Sequence, residues 1–342
     1  MLIKSKEYIR LKKAAKKLKN VELSKLFDKD PKRFQNFNVD YSKIHFDFSK
    51  NFIDNPTKKI MQDLIKKTDL ENMIQDLLNG KNVNKTEGRR VGHFWLRGDT
   101  KNQNLNALKQ NIENEMNRFL KFADDIRSGN LQSFTKESFT DVISVGIGGS
   151  DLGPNMAYEA LKSSNDGKIK VHFVSNIDQV YLDSVVKNLN PNRTLVLVIS
   201  KTFTTLETLE NAKYLKKWLQ GNDASKDVSS NMVGITTDLS QSQKFGIRND
   251  QTFLFWDWVG GRFSVWSAVG LPIALKFGFE IYEEFLSGAH AMDQHFMQAP
   301  DHENQALLLA LGLYFHQKNH GVKAQAIIPY AQSLQLFPNW LQ

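Results

Sequence analysis

Residues 141–161 read DVISVGIGGSDLGPNMAYEAL. A short apolar run ends in glycines and a helical pattern follows at once, which predicts a β-strand, a tight turn and a helix. The same unit recurs at 194–220, and further strands are predicted within 168–176 and 230–238. Strands that alternate with helices of ten or more residues indicate βαβ units in a parallel sheet with helices on both faces. The predicted fold class is therefore α/β, with a doubly wound parallel sheet.

The pattern of predicted helices and strands divides the chain into three parts. Residues 1–112 are predicted to be a mainly helical region, and residues 113–285 the α/β domain. Residues 286–342 are predicted to be connecting helices and the beginning of a second α/β domain, with a helix at 304–319 and a strand at 323–329. A chain of 342 residues is long enough for two domains.

Composition excludes several classes of protein. The sequence contains no cysteine, so disulfides and thiolate chemistry are excluded. No apolar run reaches the roughly 18 residues of a membrane span, and the amino terminus has no apolar core of a signal peptide. We therefore expect a cytoplasmic protein without a membrane partner.

The positive charge of the chain is concentrated near its amino terminus. The first 90 residues hold 22 Lys and Arg against 12 Asp and Glu, whereas the net charge of the whole chain is +8. A nucleic-acid patch is one interpretation. The apolar residues, however, recur at helical spacing with lysines opposite, at Leu11, Ala14, Ala15 and Leu18. A solvated amphipathic helix accounts for this pattern, so no nucleic-acid partner is expected.

The glycine turn at 146–153 fits neither of two familiar nucleotide motifs. A dinucleotide fingerprint counted from Gly146 would need glycine where Asp151 stands, and a P-loop counted from Gly148 would need lysine where Pro154 stands. Two interpretations stay open. The turn could present backbone N–H groups to an anion or a sugar oxygen, or it could be a tight turn with Ser150 as the helix cap.

Hydroxyl side chains cluster after the strand at 194–199. The segment from Ser200 to Thr205 contains four Ser and Thr residues and one lysine, and a helix follows. Small hydroxyls at a helix N-terminus, together with free N–H groups and the helix dipole, favour phosphate binding. Helix capping explains one or two hydroxyls but not four. The sequence thus predicts a monophosphate pocket.

An arginine follows a second glycine pair, in the segment WDWVGGRFSVW at 256–266. Arg262 among aromatic residues would be costly to bury without an anionic partner. One interpretation makes Asp257 that partner. The other places Arg262 against a developing oxyanion.

Taken together, these segments resemble the glucose-6-phosphate isomerase (phosphoglucose isomerase) family, the sugar isomerases of glycolysis. The three most specific blocks are GIGGSDLGP at 146–154, ISKTFTTLET at 199–208 and VGGRFSVWSAVGLP at 259–272. Supporting blocks are NKTEGRRVGHFWLR at 84–97, FVSNID at 173–178 and GAHAMDQHFMQAP at 288–300. The resemblance covers nearly the whole chain from about residue 40. It implies two flavodoxin-like sugar-isomerase (SIS) domains with N-terminal helices packed on the larger one.

The resemblance also implies the chemistry. Glucose 6-phosphate and fructose 6-phosphate would interconvert through a cis-enediolate, with no metal or coenzyme. Arg262 would be catalytic, as the group that stabilises the enediolate, and a homodimer is expected of full-length members. The implied substrate-binding residues are Gly149, Ser150, Ser200, Lys201, Thr202 and Thr205.

One difference from the family pattern concerns the proton-transfer base. Family members carry it as the glutamate of a Met-Glu-Ser-Asn-Gly-Lys stretch, and their ring-opening histidine and a lysine lie beyond the matched part as well. None of these is found in the 342 residues. We therefore expect this polypeptide to be a truncated, inactive fragment of an isomerase. The alternative is a non-catalytic SIS-type regulator that binds phosphosugars.

Overall fold

The structure is a computed structural model that describes residues 2–98, 102–164 and 167–342. The chain divides into two compact units. The first consists of Met1–Asn79 with Gly288–Ala326, and the second of Gly80–Ser287 with Ile327–Gln342. Each unit therefore combines separate stretches of chain, which a reading of composition along the sequence cannot reveal.

The amino-terminal stretch of the first unit is mainly helical, with one hairpin. Its elements are α1 (Lys6–Leu18), α2 (Leu23–Lys29), α3 (Arg33–Asn36), β1 (Asn38–Tyr41), β2 (Ile44–Asp47), α4 (Asn55–Ile65) and α5 (Leu70–Leu78). The hairpin of β1 and β2 is antiparallel and was not predicted. Helix α1 buries Leu11, Ala15 and Leu18 on one face, as the periodicity predicted, and the hydroxyl of Ser5 caps its first turn.

The remaining elements follow in chain order. They are α6 (Asn106–Ser128), β3 (Asp141–Val145), α7 (Gly149–Leu161), β4 (Lys170–Val174), α8 (Gln179–Val186), β5 (Thr194–Ile199), α9 (Leu206–Gln220), β6 (Met232–Thr236), α10 (Leu239–Phe245), β7 (Thr252–Leu254), α11 (Leu271–Phe277), α12 (Phe279–Gln298), α13 (Gln305–His320) and α14 (Phe337–Leu341). Position 113, the predicted start of the α/β domain, lies inside helix α6.

The second unit is built on a five-stranded sheet in the order β4-β3-β5-β6-β7. Every neighbouring pair is parallel, which confirms the predicted α/β fold. All six residues of the central strand β5 are buried, because helices must cover both faces of a parallel sheet. The chain moves outward from β3 to β4 and then returns across β3 to β5. Ligands in such sheets bind beyond the carboxyl ends of the strands at this switch point.

Three local features of the structure were not predicted. The three-residue strand β7 was missed. The largely apolar stretch at 264–287 does not form one continuous helix. 3₁₀ turns occur at Arg262–Trp266 and Ala268–Gly270, and a break occurs at Gly278, whose φ is +89°. The strand predicted at 323–329 is absent, and those residues have no regular structure. A strand needs a paired neighbour, and no described strand pairs with this segment.

Candidate functional site

The glycine turn after β3 leads straight into helix α7. Gly148 adopts φ +61° and is the residue before the first helical one, and no side chain caps the helix. The interpretation of Ser150 as the helix cap is therefore wrong. The N–H groups of Ser150 and Asp151 already donate to the carbonyls of Ile147 and Gly148, at 3.3 and 3.1 Å. The N–H of Gly149 donates to no described residue, so this one group of the first turn can donate to an anion or a sugar oxygen.

Gly149 brings the turn against the loop that carries Arg262. A Cβ added at Gly149 would lie 2.3 Å from the carbonyl carbon of Gly261 and 2.4 Å from its oxygen. The hydroxyl of Ser264 donates to the Gly261 carbonyl at 2.6 Å and lies 3.4 Å from the carbonyl of Gly149. Two backbones thus touch at a point where only glycine fits, and the glycine turn and the arginine loop form one surface.

The hydroxyl cluster follows β5 at the neighbouring position of the same sheet edge. The hydroxyls pair among themselves, Ser200 with Thr205 at 3.0 Å and Thr202 with Thr204 at 2.6 Å. Each pair uses one of its two O–H hydrogens, since a hydroxyl has one donor and two acceptor positions. One O–H donor in each pair is therefore available to a ligand.

Thr205 precedes α9 at the position of a helix cap but does not cap it. Its conformation is extended and its side chain makes no hydrogen bond to the first turn of the helix. The capping interpretation of this hydroxyl is not supported. No side-chain acceptor therefore caps the N-terminal N–H groups of this 15-residue helix.

Phe203 anchors the middle of the hydroxyl segment. It is 2% exposed, packs in the core formed by the strands and α9, and has φ +53°. A bulky residue at positive φ is strained, by roughly 1–3 kcal/mol. Burial of its ring offsets this strain, and the polar residues on either side are directed away from the core.

Lys201 holds the segment that precedes Arg262. Its Nζ donates to the carbonyl of Asp257 at 2.8 Å and to that of Val259 at 3.1 Å. Burial, and secondly the nearby Arg89, lower the pKa of Lys201. An ammonium group has three N–H donors, so one remains for the predicted phosphate contact. The structure therefore gives Lys201 a second task that the sequence did not reveal, which is to join the two loops.

Arg89 is a residue of the site that sequence reasoning did not single out. Its guanidinium donates to the carbonyl of Asp257 at 3.1 Å, the same oxygen that Lys201 contacts, and lies 3.6 Å from Glu87. Two cations thus meet at one neutral carbonyl. The only sequence signal was its place in the block NKTEGRRVGHFWLR.

Arg262 lies at the start of the 3₁₀ turn that packs on α7. Its Nε is buried and has no hydrogen-bond partner among the described residues, and its carbonyl accepts from the indole of Trp340 at 2.9 Å. No ion pair joins it to Asp257 in the part of the chain that the structure describes. The interpretation of Asp257 as its structural partner is thus not supported, and a partly buried guanidinium is left with a free donor.

Stacked rings of His93, Phe263 and Trp266 support the loop that carries Arg262. His93 stacks on Phe263 with 4.3 Å between ring centroids, and its Nδ1 accepts from Arg97 at 3.1 Å. Arg97 also lies over the ring of Trp266 at 4.1 Å. Burial, and then the charge of Arg97, lower the pKa of His93 to about 4. His93 is therefore neutral at physiological pH and acts as an acceptor and a packing surface.

Asp151 is a buried carboxyl in the first turn of α7. It is 6% exposed, and its Oδ1 has no hydrogen-bond partner among the described residues. Burial raises the pKa of Asp151 to about 6, although hydrogen bonds from Asn155 and Ser175 act in the opposite direction. A carboxyl group thus titrates near neutral pH two residues after the glycine turn.

Two further features bear on the class of site. Within the described ranges, no group of three or more His, Cys, Asp and Glu side chains is arranged to hold a metal ion. No helix among those residues is both long and apolar enough to cross a membrane.

Comparisons with known proteins identify the family of the chain. The family model described as phosphoglucose isomerase matches residues 47–342. Proteins named glucose-6-phosphate isomerase from Christiangramia forsetii and Pseudoalteromonas translucida are 39% and 40% identical over 96% and 97% of this chain. The chain spans 61% of the length of these curated relatives.

Solved structures give the same result. A glucose-6-phosphate isomerase from Chlamydia trachomatis superposes with a TM-score of 0.86 at 26% identity, covering 100% of this chain and 65% of that one. A hypothetical protein from Thermus thermophilus, at 24% identity, shares the fold with a TM-score of 0.61, and the match covers 84% of this chain and 61% of that one. The loops at the sheet edge, the family match and the relatives lead to one conclusion: the chain belongs to the phosphoglucose isomerase family.

Proposed function

We propose that this chain binds the phosphate of a hexose 6-phosphate and stabilises the enediolate in the interconversion of glucose 6-phosphate and fructose 6-phosphate. The observation that carries the proposal is at Thr205. Its hydroxyl pairs with Ser200 at 3.0 Å instead of capping α9. The N–H groups in the first turn of α9 therefore have no side-chain acceptor and can donate to an external anion.

The phosphate is held mainly by neutral donors. One free O–H from each hydroxyl pair and the N–H groups of α9 supply hydrogen bonds, and Lys201 and Arg89 supply charge. Hydrogen bonds to a charged group are each worth about 1.5–3 kcal/mol. Lys201 and Arg89 both donate to the Asp257 carbonyl, so they attract the phosphate dianion without forming a bidentate pair with it. The sugar phosphate can therefore dissociate after the reaction.

Arg262 acts on the reacting end of the sugar. Its loop touches Gly149, so the sugar-contacting turn and the guanidinium are fixed relative to each other. When a base removes the proton from C2 of the open-chain aldose, negative charge develops on the C1 oxygen. A guanidinium with a free donor stabilises this charge more than it stabilises the neutral substrate. The proton is then delivered to C1, and the hydroxyl proton of O2 is transferred to the C1 oxygen, so the aldose becomes the ketose with no net oxidation.

The base belongs to a part of the family pattern that these 342 residues do not contain. For these 342 residues we therefore propose phosphate binding and enediolate stabilisation. From the resemblance we propose a cytoplasmic location and a homodimer for a polypeptide that carries the base as well as the phosphate-binding residues and Arg262. Sedimentation equilibrium would test the dimer.

A direct test of the proposed role is Arg262→Ala in a polypeptide that also carries the Met-Glu-Ser-Asn-Gly-Lys stretch. We expect kcat to fall by roughly 10²–10³ in a coupled assay, with a smaller change in KM. Arg248→Ala is the matched control, because Arg248 pairs with Asp250 at the surface. If Arg262→Ala raised KM and left kcat unchanged, Arg262 would be a ground-state contact and the proposal would be wrong.

A further inference from the structure

Two histidines lie one helical turn apart at the carboxyl end of α13, in the first unit. The Nδ1 atoms of His316 and His320 are 3.2 Å apart, and their ring centroids are 5.3 Å apart. Side chains four residues apart on a helix share one face. The pair is absent from the motifs that define the sugar-phosphate site and has no part in the chemistry proposed above.

The hydrogen bonds around the pair fix the position of each proton. The amide of Asn51 donates to the carbonyl of Phe48 at 3.1 Å, so its oxygen is the acceptor that faces Nε2 of His316 at 2.7 Å. His316 therefore carries its proton on Nε2 and a lone pair on Nδ1. The proton between the two rings must then belong to Nδ1 of His320.

This arrangement leaves one nitrogen without a partner. Nε2 of His320 is buried and makes no hydrogen bond to any described residue. It lies in a ring that meets Phe52 and Phe315 edge-on, at centroid distances of 6.2 and 5.2 Å. A lone pair gains nothing beside aromatic rings, whereas an N–H group can interact weakly with a π face.

Both rings are held in the neutral form that binds metals. Burial and then the neighbouring His320 lower the pKa of His316, and burial and then Lys19, at the end of α1, lower the pKa of His320. Neutral imidazole is the most common metal ligand in proteins.

The spacing of the two Nδ1 atoms fits a metal ion. A tetrahedral zinc ion with Zn–N bonds of about 2.0–2.1 Å separates neighbouring ligand atoms by about 3.3–3.4 Å, close to the 3.2 Å found here. Metal-bound histidines almost always donate their other ring N–H to a carbonyl or carboxylate oxygen. His316 already does so, to Asn51.

We propose that His316 and His320 bind a divalent transition metal ion of the zinc, nickel or copper class through their Nδ1 atoms. The ion takes the position between the rings, and the proton on Nδ1 of His320 moves to its Nε2, next to Phe52 and Phe315. Water completes the coordination, since the described residues offer no third His, Cys, Asp or Glu. Magnesium and calcium, which prefer oxygen ligands, are excluded.

The test is a calorimetric titration of the protein with zinc chloride at pH 7.5, repeated with magnesium chloride. We expect one saturable zinc site, no magnesium binding, and at least a tenfold loss of zinc affinity in both His316→Asn and His320→Asn. His302→Asn is the control and should bind zinc like the parent, because His302 is exposed and pairs with Glu303. Circular dichroism of each variant establishes that it is folded.

A second readout separates a metal site from a hydrogen-bonded pair. Cobalt(II) bound to two imidazoles in a tetrahedral site has visible absorption bands that cobalt in water lacks. The bands should appear in the parent and in His302→Asn and be absent from His320→Asn. Zinc affinity that is unchanged in the folded His316→Asn and His320→Asn variants, or a parent that binds no zinc, would overturn the proposal.

Discussion

Gly149→Ala tests whether the glycine turn and the Arg262 loop form one surface. The new Cβ would lie 2.3, 2.4 and 2.6 Å from the carbonyl carbon, oxygen and Cα of Gly261. Carbon atoms in contact are normally about 3.5–4.0 Å apart, so the loop has to move by about 1 Å. All three atoms belong to backbone, and no side-chain rotation can relieve the contact.

The magnitude follows from this geometry. The φ angle of Gly149 lies outside the left-handed region, so backbone strain adds nothing. Overpacking of this kind typically costs 1–3 kcal/mol, and we expect that loss in the free energy of unfolding. Because Arg262 directly follows Gly261, the displacement should also weaken binding of hexose 6-phosphates.

Urea unfolding followed by circular dichroism measures the stability, and Gly288→Ala supplies the matched control. Gly288 lies within α12, and a Cβ there would meet nothing within 4 Å. That variant should gain roughly 0.5–1 kcal/mol from helix propensity. If Gly149→Ala were as stable as the parent, or if both variants changed stability alike, the close backbone contact would not exist in solution.

Two more predictions concern charged groups of the site. Asp151→Asn should unfold at a higher urea concentration than the parent at pH 7.5. The pKa of Asp151 is about 6 in the folded protein and about 4 in the unfolded chain. Above pH 6 the ionised carboxylate therefore lowers the free energy of unfolding, by roughly 2–3 kcal/mol. The difference should vanish towards pH 4, and an advantage that is constant between pH 4 and 7.5 would show that burial does not perturb this carboxyl. Arg89→Gln should lower the affinity for fructose 6-phosphate severalfold. The loss should be larger at low salt than at high salt, because Arg89 acts through its charge. Arg248→Gln should leave this affinity unchanged, and equal effects of the two variants would show that Arg89 is not part of the site.

The fold was largely predictable because its signals are local. Strands β3, β4, β5 and β6 are apolar runs that end in glycine or hydroxyl residues, and a parallel sheet makes such runs almost entirely apolar. Strand β7 was missed because three residues carry no periodicity. Gly278 ends a helix through a positive φ, whereas the apolar pattern continues on both sides of it.

The site was predictable only where one segment carries several of its groups. The hydroxyls from Ser200 to Thr205 are close together in sequence, so a common function could be proposed for them from the sequence. Arg89 and His93 lie more than 100 residues before the segments that they contact, and the fold alone brings them there. The bond from Lys201 to the Asp257 carbonyl could not be foreseen either, since any backbone carbonyl can accept from a lysine.

The central claim is that the hydroxyls before α9 hold a phosphate group, and titration calorimetry tests it most directly. Fructose 6-phosphate and fructose are each titrated into the parent and into Thr202→Ala/Thr205→Ala. Loss of hydrogen bonds to a charged group should weaken fructose 6-phosphate binding by about 1–3 kcal/mol and leave fructose binding unchanged. Equal losses for both sugars, or no loss for the phosphorylated one, would contradict the phosphate site.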